Sequence, residues 1–464
     1  MTALTSYRAA SHFGLGGSRQ DLQAIGNDPV GWVVDQASAN HSVEIAGMPD
    51  TAVQISRNQS RQQARRQAQR RMSGREDAAS VIEDEQRRYR HEIQDALRDT
   101  LDLRFEQAIN TTAPVKERLA WFWSNHFSVS QAGRQQIISA CASFENEAIR
   151  SSLDGYFAQM LVKVVSNPVM LLYLDNAQSI GPRSRVGRRR KAGLNENLAR
   201  EVLELHTLGA DGGYTQKDVT ALAAILTGWT VGTPQMARLD VKPGQFAFVE
   251  AMHEPGAHTL LDKTYKEPGA KQAINALKDL SVHPATARFI ATKLVRHFSI
   301  DTPALRDIEY LTDYFIKSDG HLPTVHKAVL ALTSAWEPAN KKLKSPYELV
   351  VSTWRGLELP RLSTRREATE NVLGTMNHMP FTAPSPAGWP DTNEYWGSPA
   401  ALKQRIEWGV ALGRRLGNRI NVMDVASVML DADTEPVLFR TISRAESPAQ
   451  GLALLISSPQ FQWR

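Results

Sequence analysis

The stretch Leu194–Trp229, LNENLAREVLELHTLGADGGYTQKDVTALAAILTGW, constrains this chain more than any other. Asn195, Glu196, Asn197, Arg200, Glu201, Glu204 and His206 crowd a segment otherwise built largely from Leu, Ala and Val. Each such group costs roughly 2–7 kcal/mol to bury without a hydrogen bond, so a helix of this composition is a polar structural hub or the wall of a site. At about 100° per residue, Leu194, Leu198, Val202 and Leu205 fall on one apolar stripe, with Asn195 and His206 beside it and expected to be buried. Asn197, Arg200, Glu201 and Glu204 gather opposite, where Arg200 and Glu204 are spaced to pair. That leaves Glu196 and Glu201 without a local partner, and spare carboxylates beside amides and a histidine suit acid–base work or metal coordination. Gly209 ends the helix, and Thr215-x-x-Asp218 reads as a capping box opening the next.

The rest of the 464-residue chain narrows the function classes. Hydrophobic residues at 42% and charged residues at 22% match ordinary globular proteins and exclude wholesale disorder. The longest apolar run, Leu161–Leu174, is broken by Lys163, Asn167 and Pro168, short of the roughly 18 residues a membrane span needs. The first twenty residues lack a secretory signal and a twin-arginine motif, so the chain reads as cytoplasmic. Its single cysteine, Cys141, leaves no internal disulfide or Cys-rich metal centre and reads as a buried small residue. A net charge of +5 is all that favours nucleic acid.

The expected fold is mainly α: a multi-helix globular bundle, one domain over 1–464, with one small β-hairpin inserted near 246–265. Residues 1–110 form an N-terminal helical part. It starts with two short helices within Tyr7–Gln36, with a Gly14–Gly17 turn between them, followed by two long helices that break at Gly74. Seven arginines from Arg57 to Arg75 fall on the first long helix, which reads as solvated because no aromatic residues interleave with them.

The central part, 111–360, carries the polar cluster. Pro114 opens a helix on which Leu119, Phe122, Trp123 and Phe127 recur, with Asn125 and His126 at its end. Asn176–Gly193 reads as a long cationic loop. FAFV at Phe246 and TLLDKTY at Thr259 flank HEPGAH, predicting a hairpin with His253, Glu254 and His258 on its loop. Pro284 opens a helix that places Phe289, Lys293 and His297 on one side. In the third part, 361–464, the irregular stretch Asn377–Trp396 reads as a lid or cleft wall before closing helices.

NENLAREVLELHTLGADGGYTQKDV, RLAWFWSNHFSVS, LLYLDNAQSIGP, HPATARFIATKLVRHF, SPAGWPD and LLISSPQFQWR together resemble, in order and over nearly the whole chain, the bacterial domain of unknown function family 1800. The resemblance implies a predominantly helical protein, often encoded beside alkaline-phosphatase-like or sulfatase-like proteins that carry twin-arginine signals. Its shared polar positions fall on Asn125, His126, Asp175, Asn176, Asn195, Glu196, Asn197, Arg200, Glu201, Glu204, His206, Tyr214, His253, His283, Lys293 and His297. His258 stands where the family pattern has Lys.

Two readings stay open. In the first the chain is an enzyme acting on an anionic substrate. Glu201 or His206, with Glu196, would serve as base, Lys293 and Arg200 would hold the anion, and Asn125 or Asn195 would orient it beside His126, His253 and His297. His126, His206 and His253 with a Glu would equally suit a divalent metal. This reading requires His126, His206, His253 and Glu201 to line one concavity. In the second, the chain is a noncatalytic partner or export companion of an alkaline-phosphatase-like protein, docking through Arg57–Arg75 and Arg183–Lys191.

Overall fold

In the computed structural model, which describes residues 6–38, 40–72, 78–358, 372–431 and 435–464, helices dominate and the described strands form two antiparallel pairs. The expected break at Gly74 and Arg75 lie outside the described residues. Short polar side chains set the helix starts. Ser18 and Asp21 close a capping box on Arg19–Ile25, and Asp28 caps Pro29–Asp35; a helical turn at Ser6–Phe13 precedes the glycine turn, so two short helices follow it where one was expected.

Among the described side chains of the Arg-rich helix, Thr51–Met72, the buried ones fall in its first two turns, at Thr51, Gln54, Ile55 and Asn58. Asn58 donates to the Gln136 carbonyl, and Gln54 accepts from Ser139, which anchors this end and leaves the rest solvated. The helix packs along Ala78–Asn110, where Arg61 reaches Glu92 at 2.8 Å.

Two apolar clusters fill the interior. One centres on Trp123, Phe127, Phe157, Leu203 and Phe298, the other on Leu349, Val350, Leu412, Leu455 and Phe461. Met379 packs against both. In the second, helix Pro399–Leu416 lies so close to Pro448–Ser457 that a Cβ at Gly413 would collide with the Ala449 carbonyl.

The strand pairing differs from the expected single hairpin. Phe246–Phe248 turns back onto Trp229–Val231, and the hairpin is His258–Leu260 with Lys263–Tyr265. Leu261 and Asp262 both take positive φ, the conformation that a two-residue hairpin turn demands. HEPGAH is unavailable as the turn because Glu254 is buried. Its backbone N–H donates to Thr227 and its carboxylate accepts from the Arg183 backbone. The same clasp orders the cationic loop, which contains a short helix, Arg185–Arg190, capped by Ser184.

The central stretch is helical from Asn197, not Leu194, and continues as a π-helical turn over Val202–His206. Widening the turn moves the buried side to Leu198, Ala199, Val202, Leu203 and His206, while Leu194, Leu205 and Asn195 remain half-buried. Arg200 pairs with Glu196 at 3.2 Å rather than with Glu204, because Gln216 and Thr220 of the next helix gather donors around Glu196. Glu204 accepts instead from the Tyr214 hydroxyl.

Candidate functional site

A cavity of about 280 Å³ opens where the two apolar clusters meet. The end of helix Pro114–His126 supplies Phe122, Asn125 and His126. Helix Pro284–Phe298 supplies Lys293, Arg296 and His297, and the irregular stretch supplies His378, Trp389, Asp391 and Trp396. Five cationic side chains, Arg104, Arg118, Lys293, Arg296 and Arg464, line it against two carboxylates, Glu348 and Asp391, so its field favours anions.

The hydrogen bonds fix the protonation pattern. His126 is fully buried, and its Nε2–H donates to the His206 carbonyl at 3.2 Å, leaving the Nδ1 lone pair to accept from Lys293 Nζ at 3.0 Å. Burial, with Lys293 and His206 nearby, pushes the His126 ring well below its ordinary value, so it is neutral. Burial also lowers the Lys293 ammonium to about 8, against the pull of Asp391. The ammonium makes no other hydrogen bond among the described residues, so its remaining donors are free for a ligand. The π-helical turn matters here, because its last carbonyl orients His126.

Beside this pair, His297 Nδ1–H donates to Asp391 Oδ2 at 2.7 Å. Burial would raise the Asp391 carboxyl, but His297, Lys342 and Arg464 outweigh it and hold the group well below its usual range. Burial lowers His297, opposed by Asp391. Its Nε2 has no hydrogen-bond partner among the described residues. A histidine oriented by a carboxylate through one nitrogen, with a lone pair on the other, has the geometry of a general base.

The wall built by the irregular stretch is pinned by backbone. Asn125 Nδ2 donates to the Trp389 carbonyl at 2.9 Å, and its Oδ1 accepts from the Trp389 N–H at 2.7 Å. His378 accepts from the Tyr347 N–H at 3.2 Å, with burial lowering its ring to about 3. Lys342 holds Asp301 at 2.5 Å and Asp391 at 3.3 Å, tying the wall to the end of the Lys293 helix.

Of the residues singled out from sequence, the cavity gathers Asn125, His126, Lys293 and His297. His206 lies behind His126, 6.4 Å ring to ring, wholly buried and lowered to about 3 by burial. Glu196, Arg200, Asn195 and Glu201 lie on or just before the central helix and are not part of this cavity's lining; Glu201 is half-buried and raised by burial and by Glu204. His253 Nδ1–H donates to the Thr227 carbonyl at 2.9 Å beside the first strand pair. Only His126 of the set His126, His206, His253 and Glu201 therefore lines the concavity. Among the described residues no group of three or more His, Cys, Asp or Glu side chains is arranged to hold a metal.

Sequence reasoning missed Asp391, His378, Glu348, Arg104 and Arg118. SPAGWPD carried the signal for Asp391, since an irregular stretch expected to wall a cleft delivers its charged residue into it. For Arg118 the available signal was a cation inside a helix whose apolar spacing expects burial on at least one side; the structure buries nearly every side of it.

Among the described residues no helix is long and apolar enough to cross a membrane. Comparison with curated proteins and with solved structures finds no match. Residues 8–463 match the family model described as a protein of unknown function (DUF1800), and the chain belongs to that family.

Proposed function

We propose that the chain is an enzyme whose cavity binds a small organic anion and moves a proton on it. The observation that carries this reading is the Lys293 ammonium, whose one hydrogen-bond partner among the described residues is a neutral imidazole, beside a His297–Asp391 pair in the same cavity. Lys293 and Arg296 bind the anion, and His297 acts as base, held in its tautomer by Asp391. Asn125 acts at one remove by positioning Trp389.

The test is to incubate the purified protein with a metabolite extract and compare consumption of acidic metabolites by the wild type and by His297→Gln. The wild type should deplete at least one organic anion that the folded variant leaves untouched. Identical profiles from the two would sink the reading.

The companion reading keeps one supporting observation, the exposed Arg185, Arg188, Arg189 and Arg190 on the clasped helix. It predicts co-purification with an alkaline-phosphatase-like protein that is lost when Arg188, Arg189 and Arg190 become Glu.

A further inference from the structure

Arg104 lines the same cavity on the side away from any role assigned above. It is 6% exposed, and its Nε donates to both oxygens of the buried Glu145 at 3.1 and 3.0 Å. Its two terminal nitrogens donate no hydrogen bond among the described residues, although they belong to a guanidinium that borders the cavity. Aromatic rings hold that guanidinium in place, with its carbon 4.8 Å from the Tyr347 ring centroid, 5.4 Å from Phe381 and 5.6 Å from Trp121. Tyr347, 5% exposed, adds a hydroxyl that is buried without a partner among the described residues.

A purely structural arginine in a buried ion network would spend its terminal nitrogens within the network. Arg150 does so, donating to Glu117 through both Nη atoms. Arg104 instead turns only Nε to Glu145 and leaves its planar fork for something else. A fork of two parallel N–H donors matches a carboxylate or phosphate, and a neighbouring hydroxyl adds a third donor. The Tyr347 hydroxyl, a buried donor left unmatched, costs about 1–3 kcal/mol, which favours an occupant that satisfies it.

We propose that Arg104 and the Tyr347 hydroxyl form a second anion subsite in the cavity, so that its ligand is a small molecule carrying two acidic groups, one at Lys293 and one at Arg104. This rests on the reading of Lys293 as the first anion site. A cavity of about 280 Å³ limits the ligand to small-metabolite size. Aromatic residues of the same lining, Phe122, Trp389 and Trp396, suit its apolar middle.

The probes are straight-chain dicarboxylates of three to eight carbons and the monocarboxylates of equal length, titrated calorimetrically into the wild type, Arg104→Lys, Tyr347→Phe and Lys293→Met. Arg104→Lys keeps a cation against Glu145 and removes the fork, so the fold is retained. At least one dicarboxylate should bind the wild type about tenfold more tightly than its monocarboxylate partner. Arg104→Lys should bring the two to within about twofold, Tyr347→Phe should narrow the gap, and Lys293→Met should weaken both acids. Monocarboxylate binding that Lys293→Met abolishes, with no dicarboxylate preference, overturns the second subsite and spares the first. A dicarboxylate preference that persists in both Arg104→Lys and Tyr347→Phe also overturns it. Failure of every acid to bind the wild type removes both.

Discussion

Two lysines carry opposite lessons about burial. Lys293 is lowered to about 8 by burial, yet its donors border a cavity. Its ammonium persists below that value and is lost as pH rises through it, so anion affinity should be flat up to about pH 7 and fall above 8. Calorimetric titration of a bound carboxylate across pH 6–10 checks this, with Lys293→Arg expected to remove the fall because a guanidinium stays charged throughout. Lys344 has no such outlet. It is 1% exposed, its Nζ has no hydrogen-bond partner among the described residues, and it lies 3.9 Å from the Phe461 ring centroid. Burial, reinforced by Arg118, Arg464 and Arg405 against the pull of Glu348, lowers it to about 7. The folded protein thus gives up this proton before the unfolded chain does, at an ordinary value of 10.5, so this group makes stability rise with pH between about 7 and 10.5. Below pH 7 the charged form is buried at a cost. Lys344→Met should therefore stabilise the protein by about 1–3 kcal/mol at pH 6, less any lost attraction to Phe461, with the gain shrinking by pH 9. Urea unfolding at the two pH values measures it, and a destabilised variant at pH 6 would refute the argument.

At the scale of elements, the wall Asn377–Trp396 converts irregular backbone into a fixed surface. Gly388 sits at φ +82, and a Cβ there would meet the Asn125 carbonyl and side-chain oxygens. Gly388→Ala should cost about 1–3 kcal/mol in urea unfolding and weaken carboxylate binding, since Trp389 and Asp391 follow directly. Unchanged stability and affinity would show that the wall is not held through Asn125. The same region shows what a sequence reveals and what it withholds. Helices opened by Pro114 and Pro284 were legible from periodicity and N-terminal proline, and with them Asn125, His126, Lys293 and His297. The capping box at Thr215 and Asp218 was legible for the same local reason. The π-helical turn at Val202–His206 was not, because it breaks the 3.6-residue period used to assign faces, and the pairing of Arg200 with Glu196 depends on Gln216 and Thr220 of the next helix. Asp391 was signalled only as the charged end of SPAGWPD, whereas Arg104 comes from a distant helix that only tertiary packing brings to the same cavity, so no local pattern marks it.

Across the whole molecule, buried ion pairs cross from one apolar cluster to the other. Arg118, on the helix that carries Trp123, pairs with Glu348 on the helix that carries Leu349 and Val350. Arg355, 4% exposed, reaches Asp21 at 2.7 Å while donating to the carbonyls of Ala108, Ile109 and Thr111, which caps the end of the long helix Ala78–Asn110. One side chain thus ties the first helices, the long helix and the C-terminal cluster. With charges this costly to leave buried without their partners, the clusters should lose their structure together, and we propose that the chain unfolds as one cooperative unit rather than as independent parts. Arg355→Ala leaves Asp21 buried without its cation and several helix-end carbonyls without a donor, a change expected to cost about 3–5 kcal/mol. In calorimetry the variant should melt at a lower temperature but still in one transition, since both clusters lose the same brace. Two resolved transitions in the wild type would show instead that the clusters are separable and that the cavity between them is a domain boundary.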